Sequence, residues 1–471
     1  QIGQRTGSGT VVYGSIYADE DEIVFDAQIV NASTGTLLAP ISGVRGPISD
    51  PMPVIEDLRE RVMGALAVHL DPTLGERFRV EKSQPPRYAA YLAYIQGVTH
   101  FSRQEFREAT LMLERAANLD SAFPLPLVIS GFAASRSGLF ERADSLARRA
   151  DAERHRLTPY DRHRLDALLS GLAGNHLSYY RSMRAATDLA PGGTANLAAA
   201  NAAVTLNRPR EALELHSTLD PHGPLMGAYP PYWGSLTQAY HLLGMHEREL
   251  EEAGRGRQRF PMSILPRLYE LRAVAALGRG AEAERLVAEL EEVPPQPGPT
   301  PGRVMQIAAR ELRAHGDPAT ARSVLERSMS WFGSRPAGEA DRHRRSLAIS
   351  LYLLEDWDAA EGMSAALAED MPDDPDLLGS AGVIAARRGD TETALEIARR
   401  LSSLDAPYSY GRPTLWRARI AAWLGESAEA IDLLRLALEE GSGALQTLHN
   451  DPDFEPLRDY GPFRELLAPR G

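Results

Sequence analysis

The 471 residues contain no cysteine. Thiol nucleophiles, disulfides, cysteine-held metals and iron–sulfur clusters are therefore excluded together. Chemistry would have to come from histidine, carboxylate and arginine groupings. The twelve histidines are scattered. His241 and His246 lie five apart, but a metal needs a third ligand and the sequence makes none evident. Arg154-His155-Arg156 with Arg162-His163-Arg164 reads either as an anion site or as a solvated loop around Thr158-Pro159. Carboxylates gather at Asp356, Asp358 and Glu361 and at Asp370, Asp373, Asp374 and Asp376. The second group lacks the alternating oxygens, central glycine and closing glutamate of a calcium loop, and reads as a turn with helix-capping aspartates. Gly7-Ser-Gly9 leads into a strand rather than from a strand into a helix, so it is no dinucleotide fingerprint. There is no phosphate-binding loop, kinase signature, G-x-S-x-G or H-E-x-x-H. An enzyme, a cofactor and a metal are all unexpected in this stretch.

The formal charge is −13, from 51 basic against 64 acidic residues. That balance argues against non-specific nucleic-acid binding. No run of ~18 apolar residues exists that could span a membrane as a helix. Lys82 is the only lysine, so positive charge is carried almost entirely by arginine, the better bidentate partner for carboxylates and phosphates.

What positions these residues is a repeat. Gly97, Phe106, Ala109 and Ala116 recur 34 residues later as Gly131, Phe140, Ala143 and Ala150. The small position continues as Ala109, Ala143, Tyr179, Ala212, Glu249, Ala283, Ala321, Ala360, Ala394 and Ala430. Tyr179 and Glu249 depart from it, and the Pro-rich stretch 294–301 lengthens one connection. Pro191, Pro261 and Pro372 mark helix ends. A period of about 34 residues with a small residue where two helices pack is that of a helix–turn–helix array. Residues 86–440 resemble tetratricopeptide repeat proteins. The expected fold is mainly α: a right-handed solenoid of about ten helix pairs preceded by a small α+β fragment. Residues 441–471 read as a C-terminal cap, with Phe454, Leu457, Phe463 and Leu467 covering the last apolar face.

Residues 1–80 differ in character. Thr10–Tyr17, Glu22–Val30 and Thr36–Ile41 are predicted strands, joined by turn chemistry at 18–21 and 31–35. A helix is predicted from Asp50-Pro51 to Leu70, with Val54, Leu58, Val62 and Leu66 as its apolar stripe and a stop at Asp71-Pro72. Gly9-Thr-Val-Val-Tyr-Gly-Ser15, then Phe25-Asp-Ala-Gln-Ile-Val-Asn-Ala-Ser-Thr-Gly35, resembles the second half of a TolB-like amino-terminal domain. Such domains precede tetratricopeptide arrays in bacterial regulators, including receptor-type Ser/Thr protein kinases. The resemblance implies a sensor or scaffold segment of a larger bacterial signalling protein, with any kinase domain upstream of residue 1. It implies an extracytoplasmic location, with the cytoplasm as the alternative.

In a tetratricopeptide array the first helix of each pair lines the concave face. That register gives Tyr91, Tyr94, Val98, Phe101, Leu125, Val128, Phe132, Leu168, Leu197 and Asn201 in the first repeats. It then gives Arg272, Arg303, Gln306, Arg310, Arg313, Arg342, Arg345, Tyr352, Arg387, Arg412, Arg419 and Trp423. The second half is basic inside an acidic chain, fit to grip an acidic or carboxylate-ended peptide. The other reading pairs these arginines with carboxylates of neighbouring helices, and packs Tyr91, Tyr94 and Phe101 against the TolB-like helix. The expected function is a non-catalytic protein- or peptide-binding scaffold. The alternative is a structural or self-assembling subunit that pairs through an exposed N-terminal strand edge.

Overall fold

A computed structural model describes residues 8–70, 86–223, 226–227, 229–296, 298–404 and 407–470. The helix stop at Asp71-Pro72 and Lys82 lie outside them, as do the side chains of residues 42, 70 and 337–342. The chain divides into two compact units, Gln1–Leu172 and Ala173–Gly471.

The first unit opens with an antiparallel sheet of β1 (Thr10–Asp19), β2 (Glu22–Asn31) and β3 (Leu37–Pro47), in that spatial order. Asp19 pairs with Glu22 across a tight turn in which Glu20 takes a positive φ of 55°. The second link is an Asx turn: Asn31 Oδ1 accepts from the Ser33 and Thr34 amides. Period-two alternation in β2 turns Phe25, Ala27 and Ile29 onto α1 (Met52–Leu70), which meets them with Val54, Leu58, Val62 and Leu66. β1 is different. Tyr13, Ile16 and Tyr17 stay exposed, and its outer edge pairs with no strand among the described residues.

Five helices follow in this unit: α2 (Tyr88–Ser102), α3 (Phe106–Leu119), α4 (Leu125–Arg136), α5 (Phe140–Ala152) and α6 (Pro159–Leu172). The repeated glycines explain their spacing. A Cβ on Gly97 would sit 2.5 Å from Leu113 Cγ, and one on Gly131 would sit 2.4 Å from Leu168 Cδ2. Only a residue without a side chain lets these helices approach so closely.

The second unit carries the remaining helices: α7 (His176–Leu189), α8 (Thr194–Thr205), α9 (Pro209–Ser217), α10 (Tyr232–Leu242), α11 (His246–Arg259), α12 (Ile264–Ala276) and α13 (Gly280–Glu291). After the Pro-rich stretch come α14 (Pro301–Ala314), α15 (Pro318–Gly333), α16 (Ala337–Leu353), α17 (Trp357–Ala368), α18 (Pro375–Arg387), α19 (Thr391–Ser402), α20 (Arg412–Trp423) and α21 (Ser427–Glu439). From α2 onward these are twenty helices among the described residues, and the repeat's eight alanines are all buried. The fold is mainly α, a helical-repeat solenoid behind a small sheet. Gln296 anchors the lengthened connection by accepting from the Ile264 amide at 3.1 Å and donating to the Met262 carbonyl at 2.9 Å.

The C-terminal segment does cover the last pair. Phe454, Leu457 and Phe463 are buried in one cluster with Leu415, Ile431 and Leu434 of α20 and α21. The segment also does something the sequence register did not anticipate. Its turns at Ala444–Gln446, Leu448–Asn450 and Pro452–Leu457 pack on α8, α14 and α20 in turn, and α22 (Gly461–Leu467) ends beside the turn after α8. Asn207 Nδ2 donates to the carbonyls of Leu467 and Ala468, and the Arg470 amide donates to Asn207 O at 2.7 Å. Gln446 donates to Thr205 Oγ1, and His176 Nε2 meets the Gly441 carbonyl at 2.8 Å. The second unit thereby closes on its own tail.

Candidate functional site

Several arginines of the predicted row are engaged by carboxylates of the chain itself. Arg419 on α20 reaches Asp451 Oδ2 at 2.8 Å and Asp453 Oδ2 at 3.6 Å, with its guanidinium 4.2 Å from the Trp416 ring centre. Arg310 on α14 lies 3.6 Å from Asp451, and Arg313 binds Glu455 at 3.0 Å and Glu355 at 2.9 Å. Tyr352 Oη donates to Asp453 Oδ1 at 2.7 Å. Three carboxylates of one short segment are thus held by helices α14, α16 and α20. Charge-assisted hydrogen bonds and ion pairs thus tie the chain's own C-terminal segment to these helices.

The electrostatics of this cluster follow from burial. Burial alone would raise Asp451, yet Arg419 and Arg310 hold it below the usual carboxylate range. Asp453 goes the other way. Burial and the neighbouring Asp451 charge push it up to about 6, against the pull of Arg419. Burial also raises the Tyr352 hydroxyl well above its ordinary value, which keeps it a donor.

The other predicted residues sort by partner. Arg345 pairs with Asp374 at 2.6 Å, and Arg412 with Asp376 at 3.4 Å. Arg387 pairs with Glu355 at 2.5 Å and stacks between Trp357 and Trp423. These are the neighbouring-helix pairings of the alternative reading. Arg303 donates to Gln306, which is buried and donates to Ser346 O and Ser350 Oγ. Burial first and the nearby Arg310 second lower Arg303. Arg342 falls among the side chains outside the described set. In the first unit, Tyr94 is buried against the Phe123 ring, Tyr91 stacks with Tyr88, and Phe132 packs on the same cluster as Val68 of α1. Tyr94 is a core residue, whereas Tyr91 and Phe132 pack against that core only partly buried. The basic pair of triplets is also internally paired: Arg154 with Asp151 and Asp166, Arg156 with Glu153, and Arg164 with Asp161.

A second polar cluster went unrecognised in the sequence. Glu249 on α11 stands where the repeat wants a small residue, and it is fully buried. Arg272 binds it at 2.6 Å and also donates to Thr237 Oγ1. His241 Nδ1 meets Glu249 Oε2 at 2.8 Å, and His246 Nδ1 meets it at 3.3 Å. His241 Nε2 faces His449 Nε2 of the C-terminal segment at 3.0 Å and Glu311 Oε1 at 3.4 Å. Asn450 donates to Glu311 at 2.6 Å, and His315 Nε2 lies 3.7 Å from its other oxygen. Burial would raise Glu311, but the His449 hydrogen bond and the charges of His241 and Arg272 bring it down to about 2. The available signals were the glutamate interrupting the alanine series and the nearby His241 and His246. His449 comes from 138 residues beyond Glu311 and 208 beyond His241, and was invisible to local spacing.

No family model matches the chain, and no curated protein matches it. Among solved structures it is similar to a chain of the APC/C hetero-tetramer Cut9–Hcn1, at 15% identity over 88% of this chain and 94% of that one, with a TM-score of 0.29. It is also similar to a chain of Naa15/Naa10 bound to HypK-THB, at 13% identity over 80% of this chain and 63% of that one, with a TM-score of 0.26. These likenesses carry no functional argument.

Proposed function

We propose that the chain is a non-catalytic protein-binding scaffold whose inner arginine face takes acidic segments, with residues 448–457 as a built-in occupant. The observation that supports this reading is the grip of Arg310, Arg313 and Arg419 on Asp451, Asp453 and Glu455. A partner with similarly placed carboxylates competes for those guanidinium groups. The resemblance of residues 9–35 to part of a TolB-like domain, ahead of helical repeats, is what suggests a place in a larger bacterial signalling protein.

The reading is tested with a labelled synthetic peptide of residues 447–459, titrated into the full chain and into the Asp451→Asn variant. Weakening the tail frees its seat. The variant should therefore bind the peptide at least about tenfold more tightly than the original chain, and added salt should weaken that binding. Two folded proteins that both ignore the peptide, or bind it equally and without salt dependence, would overturn the reading.

The exposed Tyr13, Ile16 and Tyr17 on edge strand β1 favour a second reading, self-association through that strand. Sedimentation should then show a dimer that Ile16→Lys dissolves. A monomer at all concentrations removes this reading.

A further inference from the structure

We propose that His241, His449 and Glu311 form a binding site for a divalent transition-metal ion, zinc foremost, which clips the C-terminal segment to α10 and α14.

The geometry is that of one face of a coordination tetrahedron. His241 Nε2 and His449 Nε2 are 3.0 Å apart, and Glu311 Oε1 lies 3.4 Å from the first and 3.2 Å from the second. Ligand atoms placed 2.0–2.2 Å from a tetrahedral zinc stand about 3.3–3.5 Å from one another. The three atoms would need to move only a few tenths of an ångström. Two imidazole nitrogens with one carboxylate oxygen suit zinc and its first-row neighbours, whereas magnesium and calcium prefer oxygen alone.

Hydrogen bonding by itself serves this triangle poorly. A single proton on one of the two Nε2 atoms can satisfy one of the three contacts. Protons on both set two N–H groups against each other at 3.0 Å. One cation in the middle satisfies all three. Charge points the same way: two buried carboxylates, Glu249 and Glu311, lie in this cluster, and Arg272 is ion-paired with Glu249.

The surroundings are those of a metal-bound histidine. Glu249 accepts from His241 at Nδ1 at 2.8 Å, which fixes the tautomer that leaves Nε2 for a metal. Arg272 in turn holds the other oxygen of Glu249. Asn450 donates to Glu311 and orients that carboxylate. Three protein ligands leave a fourth position for water. His241 and Glu311 come from helices of the repeat and His449 from the tail, so metal binding is coupled to docking of the tail. This proposal stands whether or not the inner face takes a partner.

The test uses the full chain, stripped with a chelator and titrated with zinc chloride by calorimetry and with cobalt(II) by visible absorption. One zinc per chain is expected, together with tetrahedral cobalt bands and a rise in Tm on adding zinc. His449→Ala should lose the bands and the Tm rise at the same metal concentrations, while His155→Ala, on the surface, should behave like the original chain. Glu249→Gln removes the group that orients His241 and should weaken zinc about 10- to 100-fold. His449 is only partly buried, so its alanine variant keeps the fold and separates metal loss from unfolding. Absence of cobalt bands in the original chain, or bands that persist in His449→Ala, would overturn the proposal.

Discussion

Replacing Arg419 by methionine should cost about 3–5 kcal/mol of stability and release the C-terminal segment to proteolysis. The size follows from what is left behind. Asp451 and Asp453 are both buried, and Arg419 is the cation paired with each of them. Removing one partner of a buried ion pair leaves an uncompensated charge, which costs far more than the pair contributes when whole. The guanidinium also covers the Trp416 ring at 4.2 Å, a contact methionine keeps only as packing. Arg419→Lys should fall between, because lysine supplies the charge without the planar fork that meets Asp451 through two nitrogens. Urea unfolding gives the stability, and limited proteolysis around residues 440–450 reports the tail. A loss below about 1 kcal/mol with an unchanged digestion pattern would show that the cluster does not hold the segment.

Asp453→Asn should do the reverse, stabilising the protein by about 2–3 kcal/mol above pH 6 and by nothing below about pH 4. Burial and Asp451 raise Asp453 to about 6 in the folded chain, against about 3.9 when unfolded. A carboxyl whose folded value lies above its unfolded value binds more protons when folded. Its ionisation therefore takes stability away as pH rises from about 4 through 6. Each unit corresponds to about 1.36 kcal/mol, which sets the upper size of the effect. Asparagine keeps an oxygen to accept from Tyr352, and Arg419 keeps Asp451. Thermal or urea unfolding of both proteins across pH 3.5–7.5 measures the difference. A variant less stable than the original at pH 7 would mean that the Asp453 charge is needed by Arg419 rather than tolerated.

The repeat was legible because its cause is local. The alanines at 109, 143, 212, 283, 321, 360, 394 and 430 recur wherever the two helices of a pair must touch, and each is buried. The β2 alternation and the α1 stripe were legible for the same reason, since each faces one neighbour. The inward register found Arg310, Arg313 and Arg419 but passed over Glu311, which sits between two of them. It gave Tyr94 either to a groove or to packing against its neighbours, and Tyr94 is buried in the core of the first unit. Helical spacing tells which side chains share a face. It does not tell whether that face meets solvent, a neighbouring helix or a distant stretch of chain.

By itself, then, the sequence determined a cysteine-free, acidic, helical-repeat chain with a small sheet ahead of it and an apolar closing segment, because composition, period and strand alternation are set within a few tens of residues. Only the tertiary structure decided that Asp451, Asp453 and Glu455 would meet the arginines, and that His449 would meet His241 and Glu311. Those pairings join residues 32 to 208 positions apart. They depend on how the successive helices pack to bring the tail against α10, α14, α16 and α20, a sum over many contacts that no single stretch of sequence encodes.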